Sequence, residues 1–191
     1  MTRGKFVVVV GPDGVGKSTF AERLLDKLAP DGRYFHFRPP LRGPLASHVP
    51  DSVPLPKRTQ PSPIVVGWVR LAVSVARFWL GYLGSVKPEL RQGGTVIADR
   101  WAYGYLVQPT PLGFSGPRWL ARLALALLPR PDVVFNLATS SETVRARKAE
   151  LTLDEIEREL RGWAQIPGRV VTIDASKSPE AMVSVAADHL L

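Results

Sequence analysis

The octapeptide GPDGVGKS at positions 11–18 constrains this chain more than any other feature of its sequence. It matches the pattern G-x-x-x-x-G-K-[ST] in full, after the apolar run Phe6–Val10 and before a segment whose apolar residues recur at helical spacing. Its glycines let the backbone wrap around a phosphate, so that N–H groups and a helix N-terminus face the anion. The sequence therefore predicts a strand, a phosphate-binding loop and a helix.

The residue types in this loop predict ATP and Mg²⁺ as cofactors. Lys17 is expected to neutralise the β- and γ-phosphates of ATP, and the Ser18 hydroxyl to ligate Mg²⁺. The residues predicted to bind ATP are Gly11, Asp13, Gly14, Val15, Gly16, Lys17, Ser18 and Thr19.

Composition excludes several other classes of protein. Hydrophobic residues make up 45% of the 191 residues, which argues against a disordered chain and suffices for the core of one domain over residues 1–191. The chain has no cysteine, so disulfides and thiolate metal sites are excluded. The formal charge of +8 fits either solubility or attraction of anions, and it does not choose among nucleotides, nucleic acid and acidic membranes.

The longest apolar stretch, residues 64–86, is interrupted by Arg70 and Arg77. A charge near the middle of a membrane-spanning helix costs about 2.5–3.5 kcal/mol, so a buried or interface helix is favoured. The N-terminal apolar run is too short for a signal peptide. We therefore expect a cytoplasmic protein that binds neither membrane nor nucleic acid.

Short apolar runs alternate with amphipathic segments, which predicts an α/β fold with a parallel sheet. The five predicted strands are Phe6–Val10 and residues 34–37, 96–98, 133–137 and 170–173. After the helix that follows the loop, a long helix is predicted over residues 63–90, with a break near residues 84–88. Further helices are predicted over residues 119–128, 153–163 and 178–190. Thr139 and Glu142 match a capping box, which predicts a further helix carrying Arg145, Arg147 and Lys148.

Residues 39–63 contain eight of the 18 prolines, which excludes helix and central strand there. A loop of this length inside a compact domain is usually functional or disordered. We interpret residues 38–63 as a cover over the site of the phosphate acceptor.

Asp99 and Arg100 directly follow the predicted strand 96–98. In a chain that already carries a phosphate-binding loop, an acidic residue at a strand end is well placed to hold the magnesium shell. Arg100 would then be available to an acceptor phosphate or to the transferring group. A surface salt bridge between the two residues is the alternative.

Two absences narrow the choice among proteins with this loop. The chain lacks the N-K-x-D motif that reads guanine and the L-S-G-G-Q signature of transporter ATPases. A small-molecule kinase is therefore favoured, although fold alone does not establish function.

These motifs resemble the thymidylate kinases and related nucleoside monophosphate kinases over nearly the whole chain. GPDGVGKST at 11–19 is similar to the family's G-x-D-G-x-G-K-S-T loop, DRW at 99–101 to its Asp-Arg-Tyr motif, and PDV at 131–133 to its Pro-Asp. The resemblance implies a P-loop NTPase fold with three α/β/α layers, a five-stranded parallel sheet and a short LID near residues 143–153. It also implies that Asp13 faces the sugar of an acceptor nucleotide.

The LID implied by the resemblance contains basic residues. Arg145 and Arg147, with Lys148 behind them, are candidates for neutralising charge in the transition state, because the loop at 11–18 has no arginine. An ordinary basic helix face is the alternative. Residues 150–160 resemble the acidic helix after the LID, and residues 174–177 resemble a loop that borders adenine, with a polar turn as the alternative.

The acceptor side departs from the family pattern. The family's Arg-Glu-Pro appears as Arg38-Pro39-Pro40, and the Asp-Arg of thymine-specific members is nearest to Arg77-Phe78, with the arginine out of register by one position. The tyrosines that follow residue 101 either stack on a base or belong to the core. The predicted substrate-binding residues are Asp13, Arg38, Arg77, Arg100 and Tyr103.

The predicted function is ATP- and Mg²⁺-dependent transfer of the γ-phosphoryl group to a nucleoside monophosphate, with thymidylate as one possible acceptor. The predicted catalytic residues are Lys17, Asp99, Arg100, Arg145 and Arg147, and the predicted metal ligands are Ser18 and Asp99. An acceptor phosphate is already deprotonated at neutral pH, so no histidine is required as a base.

Three alternatives remain at this stage. The chain could phosphorylate a nucleoside, a sugar or a specialised metabolite, or it could bind ATP without turnover as an interaction protein. Its charge and its apolar helix also allow a peripheral membrane or nucleic-acid binder. The resemblance offers another explanation of that helix, since these kinases pair through long helices, and it implies a homodimer.

Overall fold

A five-stranded parallel sheet lies at the centre of the structure, a computed structural model that describes residues 3–49, 60, 62–147 and 152–190. Its strands are β1 (Phe6–Val10), β2 (Arg33–His36), β3 (Val96–Asp99), β4 (Val133–Ala138) and β5 (Val170–Asp174), in the spatial order β2-β3-β1-β4-β5. The five predicted strands are confirmed, with bounds that differ by no more than one residue at either end.

Helices cover both faces of this sheet. In chain order they are α1 (Lys17–Leu28), α2 (Ile64–Gly81), α3 (Lys87–Arg91), α4 (Gly104–Val107), α5 (Arg118–Ala126), α6 (Ser141–Arg147), α7 (Leu153–Ala164) and α8 (Pro179–Leu190). Side chains of α1 and α8 share one core cluster, and side chains of α2, α5 and α7 share the other. The predicted α/β fold with three layers is thereby confirmed.

The valine-rich strand β1 explains how the two layers of helices are held. Each of its residues is at most 1% exposed, as expected of a central parallel strand. Val7 and Val9 pack in the cluster of α1 and α8, whereas Val8 and Val10 pack in the cluster of α2, α5 and α7. This alternation follows from the two-residue period of a strand.

The break predicted near residues 84–88 is one turn of π-helix, Tyr82–Val86, between α2 and α3. At this point the segment that follows β2 packs against the helix. A Cβ at Gly81 would lie 2.6 Å from the carbonyl oxygen of Pro39, and a Cβ at Gly84 would collide with that of Leu41. The Ser85 hydroxyl donates a hydrogen bond of 2.9 Å to the Pro40 carbonyl. Small residues therefore let the segment after β2 lie directly on the helix.

The capping box predicted at Thr139 and Glu142 is wrong. Helix α6 begins at Ser141, and the Ser140 hydroxyl accepts a hydrogen bond of 3.3 Å from the Thr143 amide. Ser140 lies one residue closer to the helix and offers the same capping hydroxyl. A complete capping box occurs instead at the start of α7, where Thr152 and Glu155 each bond the backbone of the other.

Two predicted features fall partly outside the described residues. Of the predicted cover, residues 38–49, 60, 62 and 63 are described, and residues 50–59 and 61 are not. Of the predicted LID, residues 148–151, including Lys148, lie outside the described part. Both features therefore stay predictions.

Candidate active site

The glycine-rich loop joins the carboxyl end of β1 to the first residue of α1. Gly11, Gly14 and Gly16 have φ angles of 141°, 84° and 104°, in a region that other residues rarely adopt. A Cβ at Gly11 would also lie 2.6 Å from the carbonyl oxygen of Leu137 in β4. The loop therefore depends on glycine for both its conformation and its contact with the sheet.

Lys17 begins α1 and is only 7% exposed. Its Nζ donates hydrogen bonds of 3.1 Å and 2.8 Å to the carbonyl oxygens of Gly11 and Pro12, and lies 3.7 Å from Asp13 Oδ1. The ammonium group is thus held inside the curve of the loop, where the motif predicts a phosphate.

Electrostatic conditions at Lys17 favour an anionic ligand. Burial lowers the pKa of Lys17, and the carboxylates of Asp99 and Glu159 oppose that shift. A phosphate bound in the loop would stabilise the charged form of this buried ammonium group, because opposite charges interact strongly where water is excluded.

Asp99 ends β3, beside β1 on one side and β2 on the other. It is 4% exposed, and its Oδ2 accepts a hydrogen bond of 3.1 Å from His36 Nδ1. Its Oδ1 is buried, has no hydrogen-bond partner among the described residues and lies 4.0 Å from Arg100 Nε. One oxygen of Asp99 is therefore fixed by His36 while the other is available to a ligand.

The residues at this edge fit a magnesium ion. Mg²⁺ takes oxygen ligands and usually keeps several waters, and Asp99 Oδ1, which makes no hydrogen bond among the described residues, is an oxygen of that kind. Ser18 lies exposed at the start of α1, next to Lys17. Val9, which precedes the phosphate loop by two residues, is paired with Asp99, and Arg100 donates a hydrogen bond to Asp13 in the loop, so the loop and this carboxylate belong to one site.

Arg100 connects this carboxylate to the glycine-rich loop. Its φ of 68° turns the chain sharply after β3, and its side chain is 8% exposed. Nη2 donates to Asp13 Oδ1, and Nη1 donates a hydrogen bond of 2.7 Å to Gln108 Oε1. Burial lowers the pKa of Arg100, and the Glu159 carboxylate opposes that shift. The structure thus brings Asp13, Lys17, Asp99 and Arg100 together, as the sequence predicts.

Arg38 belongs to a second cluster, which it forms with side chains of α2 and α4. Its Nη2 donates hydrogen bonds of 2.7 Å to Ser74 Oγ and 2.9 Å to Tyr105 Oη. The guanidinium group also lies over the rings of Phe37, at 4.8 Å, and Phe78, at 5.6 Å. Arg38 is therefore held by protein groups at the end of β2, with only its Nε buried and unpartnered among the described residues.

The structure does not bring Arg77 and Tyr103 to the loop cluster. Arg77 is exposed on α2, while the neighbouring Phe78 is 1% exposed and packs 4.6 Å from the ring of Trp101. Tyr103 belongs to the hydrophobic core, and burial raises its pKa to about 12. Phe78, rather than Arg77, thus faces the interior at this turn of α2. Tyr103 is a core residue and not a residue that stacks on a base.

The predicted LID arginines follow β4, whose carboxyl end lies beside that of β1. Arg145 is exposed on α6, and Arg147 is the last residue of that helix. Their approach to the transferring group stays a prediction. At residues 174–177, Asp174 Oδ1 accepts bonds of 2.9 Å and 2.6 Å from the amide and hydroxyl of Ser176, which forms a polar turn.

Sequence reasoning missed Gln108 and Glu159, which continue the network from Arg100. Gln108 Nε2 donates a hydrogen bond of 2.6 Å to Glu159 Oε1 in α7. A signal for Glu159 was present, because it lies three residues after Ile156 and four before Trp163, on the stripe that α7 buries. The sequence suggested only a solvated helix face there.

Comparison with known proteins gives a consistent result over nearly the full length. The model of the family described as thymidylate kinase matches residues 9–185. A probable thymidylate kinase of Methanosarcina mazei is 28% identical, over 93% of this chain and 91% of the relative. A thymidylate kinase of Pseudomonas fluorescens is 30% identical, over 98% of this chain and 95% of the relative.

A solved structure of thymidylate kinase from Candida albicans has the same fold. It superposes with a TM-score of 0.65 at 20% identity, covering 97% of this chain and 90% of that chain. With the family match over residues 9–185 and the GPDGVGKS loop, this shared fold is that of a P-loop NTPase.

Proposed function

We propose that this chain, which belongs to the thymidylate kinase family of nucleotide phosphotransferases, transfers the γ-phosphoryl group of ATP to a nucleoside monophosphate, with thymidylate as the first candidate acceptor. The observation that carries this proposal is the cluster of Lys17, Asp99, Arg100 and Asp13 at the carboxyl edge of β1 and β3. Lys17 and the loop amides face a donor phosphate, and Arg100 lies beside them where a second phosphate would enter.

Catalysis by these residues consists of positioning and charge neutralisation. Lys17 and the helix N-terminus of α1 hold the β- and γ-phosphates in line with the acceptor. Arg100, fixed by Asp13, orients the acceptor phosphate, whose oxygen needs no general base because it is already deprotonated. Arg145 and Arg147 would neutralise charge from the side of α6.

We assign the magnesium site to Ser18 and Asp99, directly or through water. Mg²⁺ held by these residues would supply positive charge to neutralise the phosphates of the donor. The hydrogen bond from His36 fixes one oxygen of Asp99, which leaves the other to the metal or its water shell. Adenine would then extend toward the polar turn at residues 174–177.

The acceptor side supports a second candidate, phosphorylation of a nucleoside, a sugar or a specialised metabolite. Arg38 is engaged by Ser74 and Tyr105, and Phe78 fills the inward position on α2 beside the exposed Arg77. The sequence predicted three arginines, Arg38, Arg77 and Arg100, for the acceptor. With Arg38 engaged and Arg77 exposed, Arg100 is the one that remains beside the loop.

ADP formation from ATP and Mg²⁺ against a panel of nucleoside monophosphates separates the two candidates. We expect saturable turnover with thymidylate or a close relative, and loss of turnover when Mg²⁺ is chelated. Nucleosides and sugars are tested beside them, with a blank that lacks acceptor. Turnover with only these neutral acceptors would replace the first candidate by the second. Binding of ATP without any turnover would leave a non-catalytic role.

We further propose that a second copy of the chain covers the apolar surface of α2 and α5. Large apolar side chains more than a third exposed lie along these helices; they are Ile64, Val65, Val66, Trp68, Val69, Val73, Trp79 and Leu80 on α2, and Trp119, Leu123 and Leu127 at α5. The two helices are in contact, since Trp79 Nε1 donates a bond of 3.0 Å to the Leu127 carbonyl. Monomers rarely expose a continuous patch of this kind, and two-fold pairing of one patch with itself is the commonest remedy.

Substitution on this surface tests the homodimer. We expect the native protein to have twice the 21.0 kDa mass of one chain in sedimentation, and Val69→Glu to give monomers, because a charge would be buried without a partner. Val185→Glu, at a 36% exposed site on α8 across the sheet, is the matched control and should remain dimeric.

A membrane is the competing occupant of the apolar surface. Among the described residues, Ile64–Arg91 is long and apolar enough to cross a bilayer by length and composition alone. A monomeric native protein that sediments with lipid vesicles would contradict the dimer and favour the membrane. A dimer without vesicle binding agrees with a cytoplasmic enzyme.

A further inference from the structure

A continuous chain of hydrogen bonds joins the glycine-rich loop to α7. Asp13 in the loop accepts from Arg100, and Arg100 donates a bond of 2.7 Å to Gln108 Oε1. Gln108, at the end of α4, donates a bond of 2.6 Å from Nε2 to Glu159 Oε1. Arg100 is 87 positions from Asp13 in the sequence, and Gln108 is 51 positions from Glu159. The side chains of Arg100 and Gln108 thus connect the loop to α7.

Within this chain of hydrogen bonds, Glu159 determines the orientation of the Gln108 side-chain amide. A carboxylate only accepts hydrogen bonds and a guanidinium only donates them, whereas an amide has one end of each kind. With Glu159 on one side, Gln108 must present its Nε2 to the carboxylate and its Oε1 to Arg100. The reversed amide would place oxygen against oxygen and N–H against N–H. Glu159 therefore specifies the acceptor that Arg100 meets.

Packing alone does not explain a glutamate at this position. Glu159 lies on the buried stripe of α7 between Ile156 and Trp163, and its Oε2 is buried without a partner among the described residues. Glu159 is half-buried, and leaving one of its carboxylate oxygens buried without a partner is costly, whereas an apolar residue would avoid that cost. The carboxylate instead raises the pKa values of Lys17 and Arg100 against the effect of burial.

We propose that Glu159 is a positioning residue for phosphoryl transfer, which acts through Gln108 to hold the guanidinium group of Arg100 against Asp13. This proposal rests on the proposed function, in which Arg100 orients the acceptor phosphate. Because the hydrogen-bond chain fixes Arg100 before the acceptor arrives, less conformational freedom is lost when the acceptor binds. The effect should therefore fall mainly on the acceptor, because Lys17 keeps its hydrogen bonds to Gly11 and Pro12 and the larger influence of Asp99 when Glu159 is replaced.

Steady-state kinetics of Glu159→Leu test this assignment. We expect the KM for the acceptor to rise about tenfold, the effect of one hydrogen bond to a charged group, while the KM for ATP stays within about twofold. Glu157→Leu, exposed on the same helix, is the matched control and should leave both values unchanged. Glu159→Gln keeps an accepting oxygen and should restore most of the affinity.

A double variant distinguishes action through Gln108 from a general structural effect. Gln108→Leu should raise the KM for the acceptor as much as Glu159→Leu does, and the double variant should be no worse than either single one. Additive effects, or equal rises in the KM values of ATP and acceptor, would overturn the proposal.

A second readout does not depend on the acceptor. The Arg100 Nε–H is buried, so its hydrogen exchange in ¹⁵N NMR spectra should be slow in the native protein and in Glu157→Leu, and faster in Glu159→Leu. Unchanged exchange in Glu159→Leu would overturn the positioning role. If no monophosphate is turned over by the native protein, the proposed function fails, and the exchange measurement still decides whether Glu159 holds Arg100.

Discussion

Replacement of Lys17 by methionine is expected to lower kcat/KM by about 1,000-fold, or about 4 kcal/mol of transition-state stabilisation. The ammonium group lies inside the glycine-rich loop, held by the carbonyl oxygens of Gly11 and Pro12. Negative charge develops there on the transferring group, in a site that water does not screen, so a fixed cation has a large effect. Methionine has similar length and no charge.

Stability should respond much less than activity to this change. Burial disfavours the charge on Lys17, so its removal offsets part of the loss of two hydrogen bonds. Lys27→Met, exposed in the last turn of the same helix, is the control for both measurements. Turnover by Lys17→Met at a rate close to that of the native protein would show that the loop does not neutralise the transferring phosphate.

The fold could be predicted because its signals are local. The run of valines in β1 and the glycine motif after it determine a buried strand, a turn and a helix within 23 residues, Phe6 to Leu28. The other strands are short apolar runs between helical segments, and the structure has them in that order. The predicted cap at Thr139 rather than Ser140 was wrong because it depends on one hydroxyl, and the short helix α4 was not predicted.

The acceptor side could not be predicted because its contacts are distant in the sequence. Arg38 reaches Ser74 and Tyr105, which are 36 and 67 residues away. No local pattern shows that these three side chains meet, or that Phe78 rather than Arg77 faces the interior. The π-helical turn Tyr82–Val86 also lies at a contact between distant parts of the sequence, since the segment after β2 packs against Gly81 and Gly84.

Glu159 shows a different limit of sequence reasoning. Its spacing from Ile156 and Trp163 places it on the buried face of α7, yet charged residues alternate so regularly along this helix that a solvated face was the simpler interpretation. A buried charge becomes recognisable only when its partner is known. Here the partner, Gln108, follows α4 on another part of the chain.

Replacement of Gly11 by alanine should have the largest effect on stability, a loss of about 3–5 kcal/mol in the free energy of unfolding. Two causes add at this position. A φ of 141° is strained for any residue with a Cβ, and the new Cβ would lie 2.6 Å from the carbonyl oxygen of Leu137. That carbonyl belongs to β4, where Leu137 is paired with Ile173 of β5, so the sheet limits its movement.

Alanine substitutions at two other glycines distinguish backbone strain from the close contact of the new Cβ. Gly168 has a φ of 119°, and a Cβ there would make only an ordinary contact, 3.5 Å from the Tyr103 hydroxyl. Gly168→Ala should therefore cost only the backbone strain, about 1–3 kcal/mol, and leave kcat/KM unchanged. Gly16→Ala meets no atom within 4 Å but strains the phosphate loop itself, so it should lower activity more than stability. Urea denaturation of the three variants beside the native protein measures the difference. If Gly11→Ala and Gly168→Ala lose equal stability, contact between the loop and β4 contributes nothing, and the loop is held by its backbone conformation alone.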